Sequence, residues 1–238
     1  MNTWQGAFCV WNARRLGITV DESCARFRRS MAAFDGAFAD NAHDALAVFA
    51  SDATPAEAFD AYQIHALPHF LRMLSYPECE REWSAEHPIL QAVRGRPHVS
   101  VLDFGCGLAQ TSITLARALT AQGVRTSLFL ADVPTLRAEF LVWFAAAVFL
   151  PCTRAAPLPP LPFVDVIVAT EVLEHLHDPL AAFARLDAAL LPGGFLITAV
   201  GDHAAEFLHV SPDLAPVRSA LAAGGYVEIE RHTLYRKP

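Results

Sequence analysis

Residues 99–119 read VSVLDFGCGLAQTSITLARAL: an apolar strand, an acid, two glycines one residue apart, and then a helical pattern. Gly105 and Gly107 can take backbone conformations that a side chain would forbid, so the loop can pass tightly beneath a ligand. The amino end of the helix that follows presents unsatisfied N–H groups. A dinucleotide fingerprint would place glycine three residues after the second one, but that position is Gln110, and an acid just ahead of the loop repels a pyrophosphate. Asp103 instead suits a ligand that carries an ammonium.

Working outward, the same strand-then-helix pattern recurs. Strands are expected over 99–103, 126–131, 164–169 and 195–200, helices over 111–121, 135–149, 179–190 and 213–223, and a final β stretch over 226–235. Such alternation demands crossover connections and a mainly parallel sheet covered on both faces. The expected fold class is therefore α/β, Rossmann-like and doubly wound, with ligands beyond the carboxyl ends of the strands. Residues 1 to about 95 show helical patterns and no convincing strand. Asp21 is expected to cap one helix running toward Phe34, and Thr54, Pro55 and Glu57 to open another reaching toward Ser75. The stretch RGRPH at 94–98 breaks the pattern, which predicts a helical region over 1–97 and a ligand-binding domain over 98–238.

Composition narrows the function classes. The 238 residues are 53% apolar with a net charge of -7, which excludes disorder and fibres. The charge is shared between the two parts, so no basic face for nucleic acid is expected. Five cysteines without paired short spacings suggest neither a disulfide framework nor a zinc site. No secretory signal pattern opens the sequence, and the longest uncharged apolar run, Phe140 to Pro151, is shorter than the roughly 20 residues a membrane span needs. A cytoplasmic protein is expected, with no membrane partner.

Two more strand ends carry chemistry. In LFLADVPTLRAEF (128–140) Asp132 closes a strand, where a carboxylate can either accept ribose hydroxyls or cap the next helix. In 162–200 the run EVLEHLHDP, a helix ending in LLPGG and an apolar strand follow one another. These three motifs, at three successive strand ends, resemble the class I S-adenosylmethionine-dependent methyltransferases over about residues 98–236. The resemblance implies a mainly parallel seven-stranded sheet and S-adenosylmethionine as cofactor. It implies that Asp103, Gly105, Cys106 and Gly107 line the methionine part, with Asp103 near its ammonium. By the same resemblance Asp132 holds the ribose, Val133 packs near the adenine, and Thr170 and Glu171 sit beside the methionine part where substrate enters. Two departures stand out: the usual third glycine of the first motif is Ala109, and no acid follows the third strand to meet the adenine amino group, which leaves Cys152 or backbone atoms for that task.

Methyl transfer needs a nucleophile held in line and, where required, a base. His175 and His203 fall at strand ends and are the expected bases. A divalent ion is not expected; the alternative is that Glu171, Glu174 and His175 bind one, as the ExxEH run does in some members of the family. In AFDAYQIHALPHFLRMLSY (58–76), Tyr62, His65 and His69 are expected to line an acceptor pocket beneath a helical lid, whereas a core stripe, or a homodimer interface through these helices, are the competing uses. The function expected is methyl transfer to oxygen or nitrogen of a small, partly apolar metabolite. The alternatives are a non-methylating use of the same cofactor and a noncatalytic cofactor-binding or partner-binding protein.

Overall fold

The computed structural model describes residues 3–30, 73–74, 82–134, 136–152, 160–201, 209 and 211–238. Its strands are β1 (His98–Phe104), β2 (Arg125–Asp132), β3 (Val148–Pro151), β4 (Val164–Ala169), β5 (Leu190–Thr198), β6 (Val227–Glu230) and β7 (Leu234–Arg236). They form one sheet in the order β3-β2-β1-β4-β5-β7-β6. Pairs among β1 to β5 are parallel, and β7 runs antiparallel to both β5 and β6. The chain winds outward from β1 to β3, then returns to the centre at β4 and winds the other way. The switch point, where open α/β sheets bind ligands, thus lies between the carboxyl ends of β1 and β4.

Period-two alternation sends each strand's side chains to two separate cores. Val99 and Val101 of β1 join Val166 and Val168 of β4 on one face, while Leu102 and Phe104 join Ile167 and Ala169 on the other. Helices α4 (Gln110–Ala121) and α5 (Leu136–Ala145) cover the first face, and α6 (Pro179–Ala189) and α7 (Ala215–Ala223) the second. The first core also takes in Trp4, Phe8 and Trp11 of α1 (Thr3–Leu16), Phe27 of the helix α2 at 20–30, and Ile89 and Leu90 of the short α3 (Pro88–Ala92). The central strands are pinned by Asp165, whose carboxylate accepts from Ser100 N (2.8 Å), Ser100 Oγ (2.7 Å) and Arg96 (2.6 Å).

Several expected boundaries shift. The helix expected to reach 149 ends at Ala145, Ala146 turns with φ 50°, and Val148–Pro151 pairs with β2 as an edge strand. An unbroken apolar run carries no periodicity that separates a helix from a strand. LLPGG does not end the helix but opens β5, which runs Leu190–Thr198 with a register shift against β4. At the second helix it is Thr19 Oγ1 that accepts from Glu22 N (3.1 Å), two residues ahead of the expected Asp21 cap. The capping box at 54–57 lies outside the described residues.

Candidate active site

The loop after β1 is fastened to the end of β2. Ala131 O accepts from the N–H groups of Gly105 (2.8 Å) and Cys106 (3.3 Å), and Asp132 Oδ2 accepts from Gly107 N (2.8 Å). Gly105 sits at φ 65°, and a Cβ there would come within 2.2 Å of Val172 Cγ2, so the turn after β4 closes directly over the loop. Ala109, where a third glycine was expected, also takes a left-handed φ of 54°, and as N-cap of α4 it gives the first helical amides no side-chain acceptor.

Asp103 is buried and accepts from Ser112 Oγ at 2.6 Å. Burial pushes its carboxyl well above the usual carboxylate range; the Ser112 bond opposes this, and the neighbouring Asp132 adds to it. A carboxyl in that state is stabilised as an anion by a docked cation, the property an ammonium-binding position needs. Asp132 is engaged differently. Besides Gly107 N, its carboxylate accepts from Val133 N (2.7 Å) and from the buried Arg137 (2.9 Å), with Cys106 Sγ at 3.7 Å. The carboxylate expected to hold a ribose is therefore already bridged by a guanidinium in the first turn of α5. Cys152 N donates to Asp132 O (2.8 Å), which sets the half-buried Cys152 thiol beside this corner, pushed up to about 11 by burial and by Asp132.

Beyond β4, Thr170 is half-buried and Glu171 exposed with φ 50°. The 3-10 turn Leu173–His175 then buries Glu174 completely. Both Glu174 carboxylate oxygens lack a hydrogen-bond partner, and His175 Nε2 lies 3.8 Å from Glu174 Oε1. The His175 ring meets that of His209 edge-on, with 5.0 Å between centroids. Among the described residues, the one grouping of possible ligand atoms is Glu174, His175 and His209, within 4.8 Å of one another.

A family of proteins described as a methyltransferase domain matches residues 76–235, the span that holds all of these strand ends. The chain belongs to the class I S-adenosylmethionine-dependent methyltransferases. Among solved structures, an O-methyltransferase family 2 protein from Planctomyces limnophilus in complex with apigenin is 17% identical with a TM-score of 0.50, over 75% of this chain and 62% of that one. A SAM dependent methyltransferase from Aquifex aeolicus is 17% identical with a TM-score of 0.46, over 70% of this chain and 94% of that one. An uncharacterized 37.1 kDa protein in transposon TN4556 of Streptomyces fradiae is 30% identical over 132 residues, which is 54% of this chain and 37% of that relative.

Set against what a class I methyltransferase needs, the structure brings Asp103, Gly105, Cys106, Gly107, Asp132 and Val133 together around the β1 and β2 ends. Glu171 does not join Glu174 and His175 in the ligand grouping; His209 takes that place. His203 and the expected acceptor residues Tyr62, His65 and His69 lie outside the described residues. Sequence reasoning missed Arg137 and His209. The spacing from Asp132 to Arg137, across a strand end into a helix's first turn, was a usable signal for the first. His209 carried none, because its role depends on where the segment after β5 returns.

Proposed function

We propose that this chain transfers a methyl group from S-adenosylmethionine to oxygen or nitrogen of a small, partly apolar metabolite. The observation that carries the reading is Asp103: a buried carboxyl with a raised pKa, at the switch point, beneath a loop that Val172 closes at Gly105. These residues fit the cofactor's methionine end. Bound there, S-adenosylmethionine supplies an activated methyl carbon for in-line attack. Asp103 takes up the ammonium as an anion and fixes the cofactor's orientation. The Gly105–Gly107 loop lets backbone approach closely, and the amides at the start of α4, which no side chain caps, follow it directly. Asp132 can receive ribose hydroxyls once Arg137 shares or leaves its carboxylate. His175 stands past β4 on the side where the acceptor is expected and serves proton removal, either directly or through a group it helps to hold.

Calorimetric titration of the purified chain with S-adenosylmethionine tests the premise, with binding expected and Asp103→Ala abolishing it. Formation of S-adenosylhomocysteine with small-molecule extracts then separates an enzyme from a binding protein. A noncatalytic protein that binds the same cofactor is the second reading. It gains the field if the cofactor binds and no extract yields turnover.

A further inference from the structure

We propose that Cys9 and Cys24 are a dithiol oxidation site, which a peroxide converts to a disulfide that staples α1 to α2 and so fixes helices that complete the sheet's first core. The two cysteines are not neighbours in sequence, but the chain folds back between them. Ile18 N donates to Ala13 O (3.1 Å), which closes α1, and Thr19 Oγ1 accepts from Glu22 N (3.1 Å), which opens α2. Across the resulting helical hairpin Asn12 Nδ2 donates to Ser23 Oγ (3.2 Å), and the Phe8 and Phe27 rings meet with centroids 5.9 Å apart. Cys9 falls between Phe8 and Asn12, and Cys24 between Ser23 and Phe27, so these two contacts bracket the pair. The thiols are within hydrogen-bond reach of each other. A disulfide needs its Cβ atoms to approach to about 3.8 Å, and side chains already in contact across a bracketed hairpin have little distance left to close.

Both side chains are buried in the first core, Cys9 at 0% and Cys24 at 8% exposure. Burial, and then the Cys24 thiol beside it, push the Cys9 thiol up to about 12, while the charge of Arg28 acts the other way. Cys9 therefore keeps its proton at neutral pH and is a poor first nucleophile. Cys24, the less enclosed of the two, is the position a peroxide reaches first. Its sulfur attacks one peroxide oxygen, the O–O bond breaks, and Cys24 becomes a sulfenic acid while the released hydroxide takes the thiol proton and leaves as water. The Cys9 sulfur then attacks the Cys24 sulfur: the S–S bond forms, the S–O bond breaks, and the departing hydroxide carries off the Cys9 proton as a second water. The two thiols together lose two electrons, and the peroxide gains them. Because both thiols sit in the core, reaction requires local opening of the hairpin, so the site answers sustained oxidant and answers it slowly. No part of this step uses S-adenosylmethionine, so the site and methyl transfer are tested separately.

The full chain, first reduced, is held with hydrogen peroxide at neutral pH, and its peptide map without reductant and its melting curve are followed together. A linked pair of peptides carrying Cys9 and Cys24, lighter by two hydrogens than the separate thiols, is expected. Closing a loop of about 15 residues should raise the melting temperature by roughly 6–12 °C, and dithiothreitol should abolish the gain. Cys9→Ala and Cys24→Ala, each melted before oxidant is added to show that it is folded, should form no such link and gain no thermal shift. If either variant fails to fold, the wild-type chain still decides the matter, because the map reads the pairing directly. The proposal is overturned if Cys9 and Cys24 of the treated protein are still alkylated as thiols after unfolding, if Cys24 stops at a sulfinic acid, or if either one is linked instead to Cys79, Cys106 or Cys152. A Cys9–Cys24 bond that forms without raising the melting temperature would overturn it as well.

Discussion

At the scale of single residues, the cofactor corner turns on how two acids are paired. Asp103 binds a proton more tightly in the folded chain than in the unfolded one, whose value is near 3.8. The sign follows: the wild type loses stability as pH rises from that value through the raised folded pKa, and Asp103→Asn escapes the loss. Asp103→Asn should thus melt at or above wild type at neutral pH and lose its advantage near pH 3, while binding S-adenosylmethionine at least about tenfold more weakly. A neutral-pH melt well below wild type would mean that the ionised carboxylate is already satisfied in the free protein. Arg137 presents the opposite case. Its removal from the buried Asp132 pair should cost about 3 kcal/mol of stability, yet free the carboxylate for ribose, so Arg137→Met is expected to unfold more easily and to bind cofactor several-fold more tightly. Weaker binding in that variant would assign Arg137 to the cofactor site instead.

Among the elements, the loop after β1 and the turn after β4 act as one unit because Val172 lies where a Gly105 side chain would go. Gly105→Ala should lose cofactor binding and destabilise the chain, since both φ 65° and a 2.2 Å contact oppose the methyl group. Val172→Ala in the same chain should recover part of the stability, and a double variant no better than the single one would place the fault in backbone strain alone. Much of this unit was legible beforehand. The acid and glycines after β1, the acid after β2 and the EVLEHLHDP run all announce themselves by residue type, because tight backbone and isolated buried charge admit few amino acids. The edge strand β3 did not, since Val148–Leu150 follow α5 within one apolar run and polarity gives no marker where the helix stops. Nor did His209, whose neighbour is set by a backbone bond from Ser211 to Glu174 across more than thirty residues of chain.

For the whole molecule, the issue is whether the sheet can stand without the helices that precede it. The boundary expected near 94–98 follows a real break in pattern, but the first face of the sheet is completed by residues on the far side of that break. Trp4 meets Phe144 in a tilted pair with centroids 4.6 Å apart, Phe8 and Trp11 meet Phe140 at 5.7 and 5.6 Å, and Phe140 stacks on Phe144 at 5.2 Å. Trp4, Ile89 and Leu90 share one core with Val99 and Val101 of β1. Arg96, just ahead of β1, reaches Asp165 in β4, where the bonds from Ser100 and Arg96 outweigh burial and hold the carboxyl below its ordinary range. Fully burying an aromatic or aliphatic side chain is worth about 1.5–3 kcal/mol, so exposing roughly six such positions removes about 9–18 kcal/mol, comparable to the whole 5–15 kcal/mol or so by which a domain is stable. A fragment of residues 98–238 should accordingly fail to give a cooperative melt, whereas Trp4→Ala in the full chain should fold with a loss of about 3–5 kcal/mol. Restoring residues 82–97 alone should not rescue the fragment, because α1 would still be missing from the aromatic stack. A 98–238 fragment that melts cooperatively and binds S-adenosylmethionine would show instead that the amino-terminal helices are an appendage and that the sheet's first face closes without them.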